Sequence, residues 1–144
     1  MQGAVLKKKI VSRRDTHKPI RNSRTSGGGR KPTLWDQASR WYDSLVGMSG
    51  SDYHQTIVMP GVLKMLELKP GRRVLDLACG QGVFSRFLLG KKIKPEGLDS
   101  SEELLRMARS RSVKSIPYHL GNASDAKLLG GQEFDGIACL LAVQ

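Results

Sequence analysis

Two carboxylates and a short glycine loop are the groups whose types and spacing could support chemistry in this chain. Asp76 lies within one apolar run, Gly80-Gln81-Gly82 follows that run, and Asp99 ends the next one. Glycines in such a turn let a ligand approach the backbone closely. A carboxylate beside the turn disfavours the pyrophosphate of a dinucleotide and favours a ligand that carries positive charge.

S-adenosylmethionine is a ligand of that kind. It carries a sulfonium and an ammonium group, which an acid can favour directly or through water. The alternative is a dinucleotide, because Gly80-x-Gly82-x-x-Ser85 also resembles a loose dinucleotide fingerprint, a motif of weak specificity. Asp76 favours S-adenosylmethionine over a nicotinamide or flavin dinucleotide.

The segments that must position these groups alternate between strand and helix patterns. Strands are predicted at residues 73–77, 94–98, 116–120 and 134–143, with Pro95 breaking the second one. Helices are predicted at residues 83–89 and from a Ser100/Glu103 capping box to about residue 110. This repetition predicts an α/β fold, a Rossmann-like doubly wound parallel sheet with the loops at its carboxyl edge.

Two further helical stretches precede the sheet. Thr33 and Asp36 resemble a capping box, and apolar residues recur at helical spacing from there to Gly47. A second stretch runs from residue 53 to about residue 66, and Pro60-Gly61 is expected to kink or split it. Trp35, Trp41 and Tyr42 fall on or beside the apolar face of the first helix, so they are predicted to pack in the core.

The N-terminal segment has a different composition. Residues 1–31 hold ten of the 24 basic residues and one acid, so they carry nine of the eleven net positive charges. Their low apolar content predicts a disordered basic tail. It could be a solvated extension, a phosphate-binding arm for RNA or DNA, or an organelle transit peptide.

Cysteine and hydropathy patterns exclude several classes of protein. Cys79 and Cys139 make no disulfide framework and no metal cluster with the three histidines, and they are predicted to be buried small hydrophobes rather than nucleophiles. Apolar runs fall short of the roughly 20 residues that cross a bilayer. Lys7, Lys8 and Lys9 stand where a signal peptide needs apolar residues, which favours the cytoplasm.

Four motifs in order resemble the class I S-adenosylmethionine-dependent methyltransferases, and the resemblance covers roughly residues 35–144. Residues 74–82 (VLDLACGQG) are similar to the first motif, with Ala78 in place of its usual first glycine. Residues 97–101 (GLDSS) resemble the second motif, which implies that Asp99 accepts both ribose hydroxyls. Residues 121–123 (GNA) and 134–141 (FDGIACLL) resemble the third motif, which holds the adenine edge, and the fourth strand.

The resemblance implies a set of site residues. The residues implied to bind S-adenosylmethionine are Asp76, Ala78, Cys79, Gly80, Gln81, Gly82, Asp99, Ser100, Asn122, Ala123 and Leu140. Tyr53 and His54 are implied to belong to a lid, and Gln144 to face the methyl acceptor. No catalytic residue and no metal is assigned, because the sulfonium is already an activated leaving group and transfer needs only in-line placement.

Each site residue also has a structural interpretation. Asp76 could cap the loop, Asp99 could cap the next helix, and Asn122 could be a turn residue; Tyr53 and His54 could serve packing. The predicted domains are a basic tail at residues 1–31, lid or cap helices at 32–70, and an incomplete S-adenosylmethionine-binding domain at 71–144.

The family's sheet has seven strands, whereas this sequence stops after the fourth. The fourth strand is therefore expected to present an open apolar edge, as in a fragment, unless another chain covers it. Self-association through that edge and loss of activity in the isolated chain are expected. Two functions remain open: a methyltransferase of unknown acceptor, and a non-catalytic module that binds nucleic acid or a partner through the tail.

Overall fold

A computed structural model describes residues 4–6, 31–124, 128 and 131–142. Its strands are β1 (Ala4–Leu6), β2 (Arg73–Leu77), β3 (Lys94–Asp99), β4 (Tyr118–Leu120) and β5 (Gly136–Cys139). Its helices are α1 (Leu34–Val46), a π-helical segment (His54–Val58) that runs into α2 (Met59–Leu66), α3 (Val83–Gly90) and α4 (Glu102–Arg111).

The strands form one sheet in the order β1-β5-β2-β3-β4. β5, β2, β3 and β4 are parallel, whereas β1 pairs antiparallel with β5. The register places Asp76 opposite both Gly97 of β3 and Ala138 of β5. The predicted parallel Rossmann-like sheet is confirmed, and its carboxyl edge carries the β2–α3 loop and Asp99.

Apolar side chains alternate between the two faces of the sheet, as strand geometry requires. Val74 and Ala138 on one face form a buried cluster with residues of α2 and α3. Farther along that face, α4 buries Leu105 and Ala108 in a cluster that also contains Tyr118. On the opposite face, Leu75 and Leu98 pack with Leu128.

Two caps fix the helices that border the candidate site. The predicted capping box of α1 is present: Thr33 Oγ1 accepts from the Asp36 N–H, and the Asp36 carboxylate accepts from the Thr33 N–H. For α4 the prediction was wrong by one residue, because the N-cap is Ser101, whose hydroxyl accepts from the Leu104 N–H at 3.2 Å. Ser100 is displaced from this role because β3 continues through Asp99, one residue beyond the predicted strand.

Proline does not interrupt the structure where the sequence predicted a break. β3 continues through the buried Pro95. The Lys94 N–H donates towards β2, so the next backbone nitrogen faces β4, whose pairing with β3 begins only at Gly97. A proline there costs no ladder hydrogen bond. Pro60 lies in the first turn of α2, directly after the π-helical segment, so the second helical stretch changes its winding just before the predicted position.

The N-terminal segment and the last strand differ from expectation. Ala4–Leu6 forms β1, which pairs with residues 137–139 of β5, so these three residues are ordered and the side of β5 away from β2 is occupied. The unpaired groups of an edge strand offer hydrogen bonds that offset the entropy of ordering β1. The rest of the tail prediction, residues 1–3 and 7–30, lies outside the described residues. The observed β5 is four residues long, shorter than predicted.

Candidate cofactor-binding site

The β2–α3 loop turns sharply at the carboxyl edge of the sheet. Ala78, Gly80 and Gly82 all have left-handed backbone conformations, with φ of 57°, 55° and 77°. Two of these positions carry glycine, which adopts this conformation without steric cost. Ala78 adopts it with a methyl side chain, so the one departure from the first motif is accommodated in the same backbone shape.

Asp99 fastens this loop to the end of β3. Its Oδ2 accepts from the Gly80 N–H at 2.8 Å, and its Oδ1 accepts from the Ser101 N–H at 2.8 Å. The side chain is buried, and burial raises the pKa of Asp99 against the opposing effect of these backbone donors. Asp99 therefore holds both the glycine loop and the start of α4, and its proposed contact with ribose hydroxyls remains a prediction.

Asp76 lies deeper, on β2. It is only 2% exposed, and its Oδ2 accepts a hydrogen bond of 2.6 Å from the Ser85 hydroxyl of α3. Burial raises the pKa of Asp76 to about 7, and the nearby charge of Asp99 adds to this rise. Near neutral pH, Asp76 is thus balanced between a carboxylic acid and a carboxylate.

A small pocket that is open to solvent lies beside these carboxylates. Helix α1 and the π-helical segment contribute its outer wall, and the β2–α3 loop its inner wall. Its lining residues are Tyr42, Val46, His54, Met59, Asp76, Ala78, Cys79, Gln81, Val83, Phe84 and Leu140. The structure thus brings together six of the residues that the sequence assigned to the cofactor or lid: Asp76, Ala78, Cys79, Gln81, Leu140 and His54.

Tyr42 is a pocket residue that sequence reasoning assigned to the core. Its ring lies over the glycine loop, since a Cβ added at Gly80 would be 3.6 Å from Tyr42 Cε1. Burial raises the pKa of Tyr42, as do the charges of Asp99 and Asp76. Trp35 packs edge-on against Tyr42 but is 39% exposed, and Trp41 is 64% exposed, so the predicted core position of both tryptophans was wrong. Helical periodicity could have indicated the position of Tyr42 from the sequence, because Tyr42 follows the buried Ser39 by three residues and therefore lies on the same face of α1.

Gln81 offers a polar atom to a ligand. Its side chain is 1% exposed, and its Nε2 donates to the Gly47 carbonyl at 2.6 Å. Its Oε1 is buried without a hydrogen-bond partner among the described residues. Such an acceptor is costly unless something donates to it, so Oε1 points to a ligand that carries a donor.

The other residues that the sequence assigned to the cofactor or the lid lie in environments that differ in burial. Burial raises the pKa of the Cys79 thiol well above its usual value, which agrees with a buried small hydrophobe rather than a nucleophile. His54 Nδ1 shares a 2.7 Å hydrogen bond with the Ser51 hydroxyl, and burial lowers its pKa. Tyr53 is half-exposed, and Ser100 lies between β3 and the cap of α4.

The third motif is separate from the pocket lining. Asn122 and Ala123 are exposed, and Asn122 Oδ1 accepts from both the N–H and the hydroxyl of Ser124 at 2.9 Å. This is a local turn, the structural alternative that the sequence left open. Gln144 lies outside the described residues. The adenine and acceptor contacts of these three residues remain predictions.

The described part of the chain contains neither a cluster of metal-ligand side chains nor a membrane-spanning helix. No group of three or more His, Cys, Asp or Glu side chains is arranged to hold a metal ion. No helix there has the length and apolar character that a membrane span requires.

Comparison with known proteins identifies what this arrangement is similar to. A family model described as a methyltransferase domain matches residues 74–144. A ubiquinone biosynthesis O-methyltransferase of Thiobacillus denitrificans is 36% identical over 73 residues, which are 49% of this chain and 32% of that protein. A dTDP-3-amino-3,6-dideoxy-alpha-D-glucopyranose N,N-dimethyltransferase of Streptomyces fradiae is 30% identical over 101 residues, 70% of this chain and 38% of that protein.

A solved structure has the same fold. A chain of the complex between the Haloferax volcanii Trm112 methyltransferase activator and a methyltransferase superposes with a TM-score of 0.53 at 25% identity. The match covers 65% of this chain and 41% of that chain. This chain spans about a third of the length of the two curated relatives, whose covered shares are 32% and 38%.

Proposed function

We propose that the protein is a class I S-adenosylmethionine-dependent methyltransferase, because residues 74–144 match the model of a methyltransferase domain. The observation that carries the proposal is a pair of buried carboxylates, Asp76 and Asp99, beside a glycine loop. Asp76, beside the loop where a dinucleotide places its pyrophosphate, disfavours that anion and favours a cationic ligand, whereas Asp99 suits the ribose of either ligand. The dinucleotide alternative is therefore disfavoured.

The residues present fit this cofactor. Asp99 retains acceptor capacity for ribose hydroxyls, since an ionised carboxylate has about four acceptor sites and the loop and α4 each supply one donor. Asp76 and Gln81 Oε1, which has no partner among the described residues, suit the ammonium and sulfonium end. The cofactor supplies a methyl group on an activated sulfur, and the chain's own residues bind it, orient it and exclude water.

The methyl acceptor approaches from the side of the α1 and π-helical wall. The proposed residues that complete the cofactor and acceptor sites are Tyr53, directly before the π-helical segment, His54 at its start, and Asn122, Ala123 and Gln144 beyond the strands. No catalytic base is assigned. The acceptor is left as an oxygen or nitrogen nucleophile, because the two relatives are named an O- and an N-methyltransferase.

The finer organisation is also part of the proposal. We assign residues 1–31 to a basic tail, 32–70 to cap helices and 71–144 to the cofactor-binding domain. The cytoplasm is the proposed compartment, since Cys79 and Cys139 are both free thiols, as a reducing compartment keeps them.

Calorimetric titration of S-adenosylmethionine tests the proposal. Asp99→Ala should weaken binding by about 2–4 kcal/mol through the loss of two charge-assisted hydrogen bonds, and Asp99→Asn should cost less. Asp52→Ala, at an exposed acid, is the matched control and should bind like the wild type. Thermal melting of each variant separates a binding defect from unfolding. Equal affinity of wild type and Asp99→Ala would remove Asp99 from the site, and failure of the wild type to bind would overturn the function.

A second function, binding of nucleic acid, is favoured by the ten basic residues between positions 7 and 31. Replacing all ten with Gln leaves β1 and the body intact. The variant should lose affinity for RNA or DNA and show a flatter dependence of log affinity on log salt. Cofactor binding should not change. If the wild type is not retained on nucleic acid at about 0.15 M salt, the tail is a passive extension.

A further inference from the structure

Helix α1 presents its main apolar face to solvent. Its outer face consists of four residues at the i, i+4, i+7, i+11 spacing of a single helical face: Leu34, Ala38, Trp41 and Leu45. Ala38 is half-buried, whereas Leu34 is 83% exposed, Trp41 64% and Leu45 61%. An apolar face at this spacing is expected to pack against the core of a globular protein. On α1 it faces outward.

The opposite side of α1 faces the protein through its two acids. Asp36 Oδ1 accepts a hydrogen bond of 2.8 Å from the Ser101 hydroxyl at the start of α4. Asp43, two turns further along α1, pairs with Arg111 at the end of α4. These contacts at both ends of α4 fix the rotation of α1 about its axis. The outer face therefore cannot turn inward unless both polar contacts break.

The charge beside the outer face is positive. Helix α1 has three charged residues, and its two acids are bonded to α4, so Arg40 is the charged side chain that α1 exposes to solvent. The segment directly before α1, residues 7–31, carries ten basic residues and one acid. Exposed apolar side chains beside a strongly basic segment suit a partner that offers both negative charge and an apolar interior.

An anionic lipid surface fits these features better than two other occupants. A second copy of this chain would bring together two net charges of +11, which opposes pairing through α1. Nucleic acid attracts the basic residues through its phosphates, but this attraction makes no use of an apolar helix face. At a lipid surface, Lys and Arg bind the headgroups while apolar side chains enter the boundary with the acyl chains.

We propose that α1 docks on an anionic lipid surface, with its outer face at the boundary between headgroups and acyl chains and the basic residues before it at the headgroups. The helix has 13 residues, so it lies in the plane of the surface and does not cross the bilayer. Trp41 is of a residue type that is enriched at such boundaries. Because Tyr42 and Val46 of α1 line the pocket, docking holds the pocket close to the lipid. The inference goes beyond the proposed function and does not depend on it.

Tryptophan fluorescence in the presence of vesicles tests the docking. The chain has two tryptophans, Trp35 and Trp41, and both lie on α1. Vesicles of phosphatidylcholine and phosphatidylglycerol should shift the emission of the full chain to shorter wavelength, and lipids brominated on the acyl chains should quench it. Phosphatidylcholine alone should give a much weaker response, and added salt should reduce binding. An unshifted, unquenched emission would overturn the inference even if the chain sediments with the vesicles, because the basic segment alone would then make the contact.

Substitutions on the outer face test which residues enter the lipid. Leu34→Gln combined with Leu45→Gln keeps both tryptophans as probes and should weaken binding to anionic vesicles at least about tenfold. Both leucines are exposed and Gln is also a good helix former, so α1 should stay folded, which thermal melting checks. Val113→Gln, at an exposed apolar residue outside α1, is the matched control and should bind like the wild type. Equal binding by the wild type and the double variant, or an equal loss in the control, would overturn the role of α1.

Three further measurements separate lipid from the other occupants. Replacing the ten basic residues with Gln should weaken binding to anionic vesicles at least about a hundredfold, and unchanged binding would overturn the electrostatic part of the inference. A dimer in light scattering without lipid that is lost in the Leu34→Gln, Leu45→Gln variant would assign the outer face to a second copy of the chain and overturn the inference. A shift in tryptophan emission on adding RNA that the same variant abolishes would assign the face to nucleic acid, with the same consequence.

Discussion

Asp76 has a position that the sequence predicts and a buried environment that changes its protonation. Its place near the end of β2 was read from the sequence, but its protonation is set by a closed environment to which α3, β3 and α1 all contribute. A buried acid with a raised pKa is typical of functional sites, where such groups are adjusted to their task. The same shift affects the stability of the folded chain.

Asp76 should make the stability of the ligand-free protein depend on pH. Its folded pKa of about 7 lies above the ordinary value of 3.8, so the folded state holds a proton that the unfolded state has lost. Its contribution is therefore fully present below about pH 4 and is lost as pH rises to about 7, at up to about 1.4 kcal/mol per pH unit. Denaturant unfolding at several pH values measures this.

The comparison with Asp76→Asn isolates this residue from other titrating groups. The difference in unfolding free energy between variant and wild type should grow in favour of Asn from pH 5 to pH 7 and then stay constant. A difference that does not change with pH would mean that Asp76 is ionised throughout.

Ala78 carries local strain that glycine would relieve. A non-glycine residue in the left-handed region costs roughly 1–2 kcal/mol, and its φ is 57°. Ala78→Gly should therefore raise the unfolding free energy by several tenths of a kcal/mol, after the extra entropy that glycine loses on folding. Ala78→Val should lower it, because a β-branched side chain is poorly tolerated at positive φ.

The control for this pair is Ala38→Gly inside α1. There the backbone is helical, so glycine should destabilise by about 1 kcal/mol. If both glycine variants are destabilised alike, the left-handed conformation of Ala78 is not strained.

At the level of elements, two acidic side chains of α1, Asp36 and Asp43, hold this helix against α4. Asp36 Oδ1 accepts from the Ser101 hydroxyl and the Glu103 N–H at the start of α4. Burial raises the pKa of Asp36, but hydrogen bonds from Thr33, Ser101 and Glu103 outweigh it and lower the pKa well below its usual range. One turn beyond Ser39, Asp43 forms a bidentate pair with Arg111, with contacts of 2.5 and 2.8 Å.

A double-mutant cycle on Asp43→Asn and Arg111→Gln should give a coupling of about 1 kcal/mol in unfolding free energy, because the pair is bidentate and each side chain is less than a quarter exposed. The control cycle uses Glu103 and Arg106, a largely exposed pair whose coupling should be close to zero. Equal couplings in the two cycles would show that the α1 pair gains nothing from its partial burial.

At the scale of the whole molecule, the sheet ends differently from the expectation of an open apolar edge. β1 pairs with β5 over three residues, so the N-terminus of the chain covers part of the edge through which self-association was predicted. Five strands thus assemble where the sequence predicted four. Pairing of this kind is one way in which proteins protect an edge strand.

Removal of residues 1–6 should expose that edge and promote self-association. The truncated chain should show an apparent mass that rises with concentration in light scattering, whereas removal of residues 1–3, which spares β1, should leave the mass of the full chain. A monodisperse monomer after removal of residues 1–6 would contradict a protective role for β1.

The sequence by itself determined the parallel sheet, the order of its motifs and the placing of Asp76, Asp99 and the glycine loop at one edge. These features follow from patterns within a few residues: apolar runs, glycine turns and caps such as Thr33 with Asp36. Even there, a one-residue choice between Ser100 and Ser101 was decided by how far β3 extends, which depends on pairing with its neighbours.

Only the tertiary structure decided which side chains share the pocket. Tyr42 reaches a loop 38 positions further along the chain at Gly80, and the Tyr118 hydroxyl lies against Gly82 across 36 positions. The pairing of β1 with β5 spans most of the chain. No local pattern encodes such contacts, because they depend on how distant elements pack. The protonation of Asp76 belongs to the same class, since it is set by the burial that this packing creates.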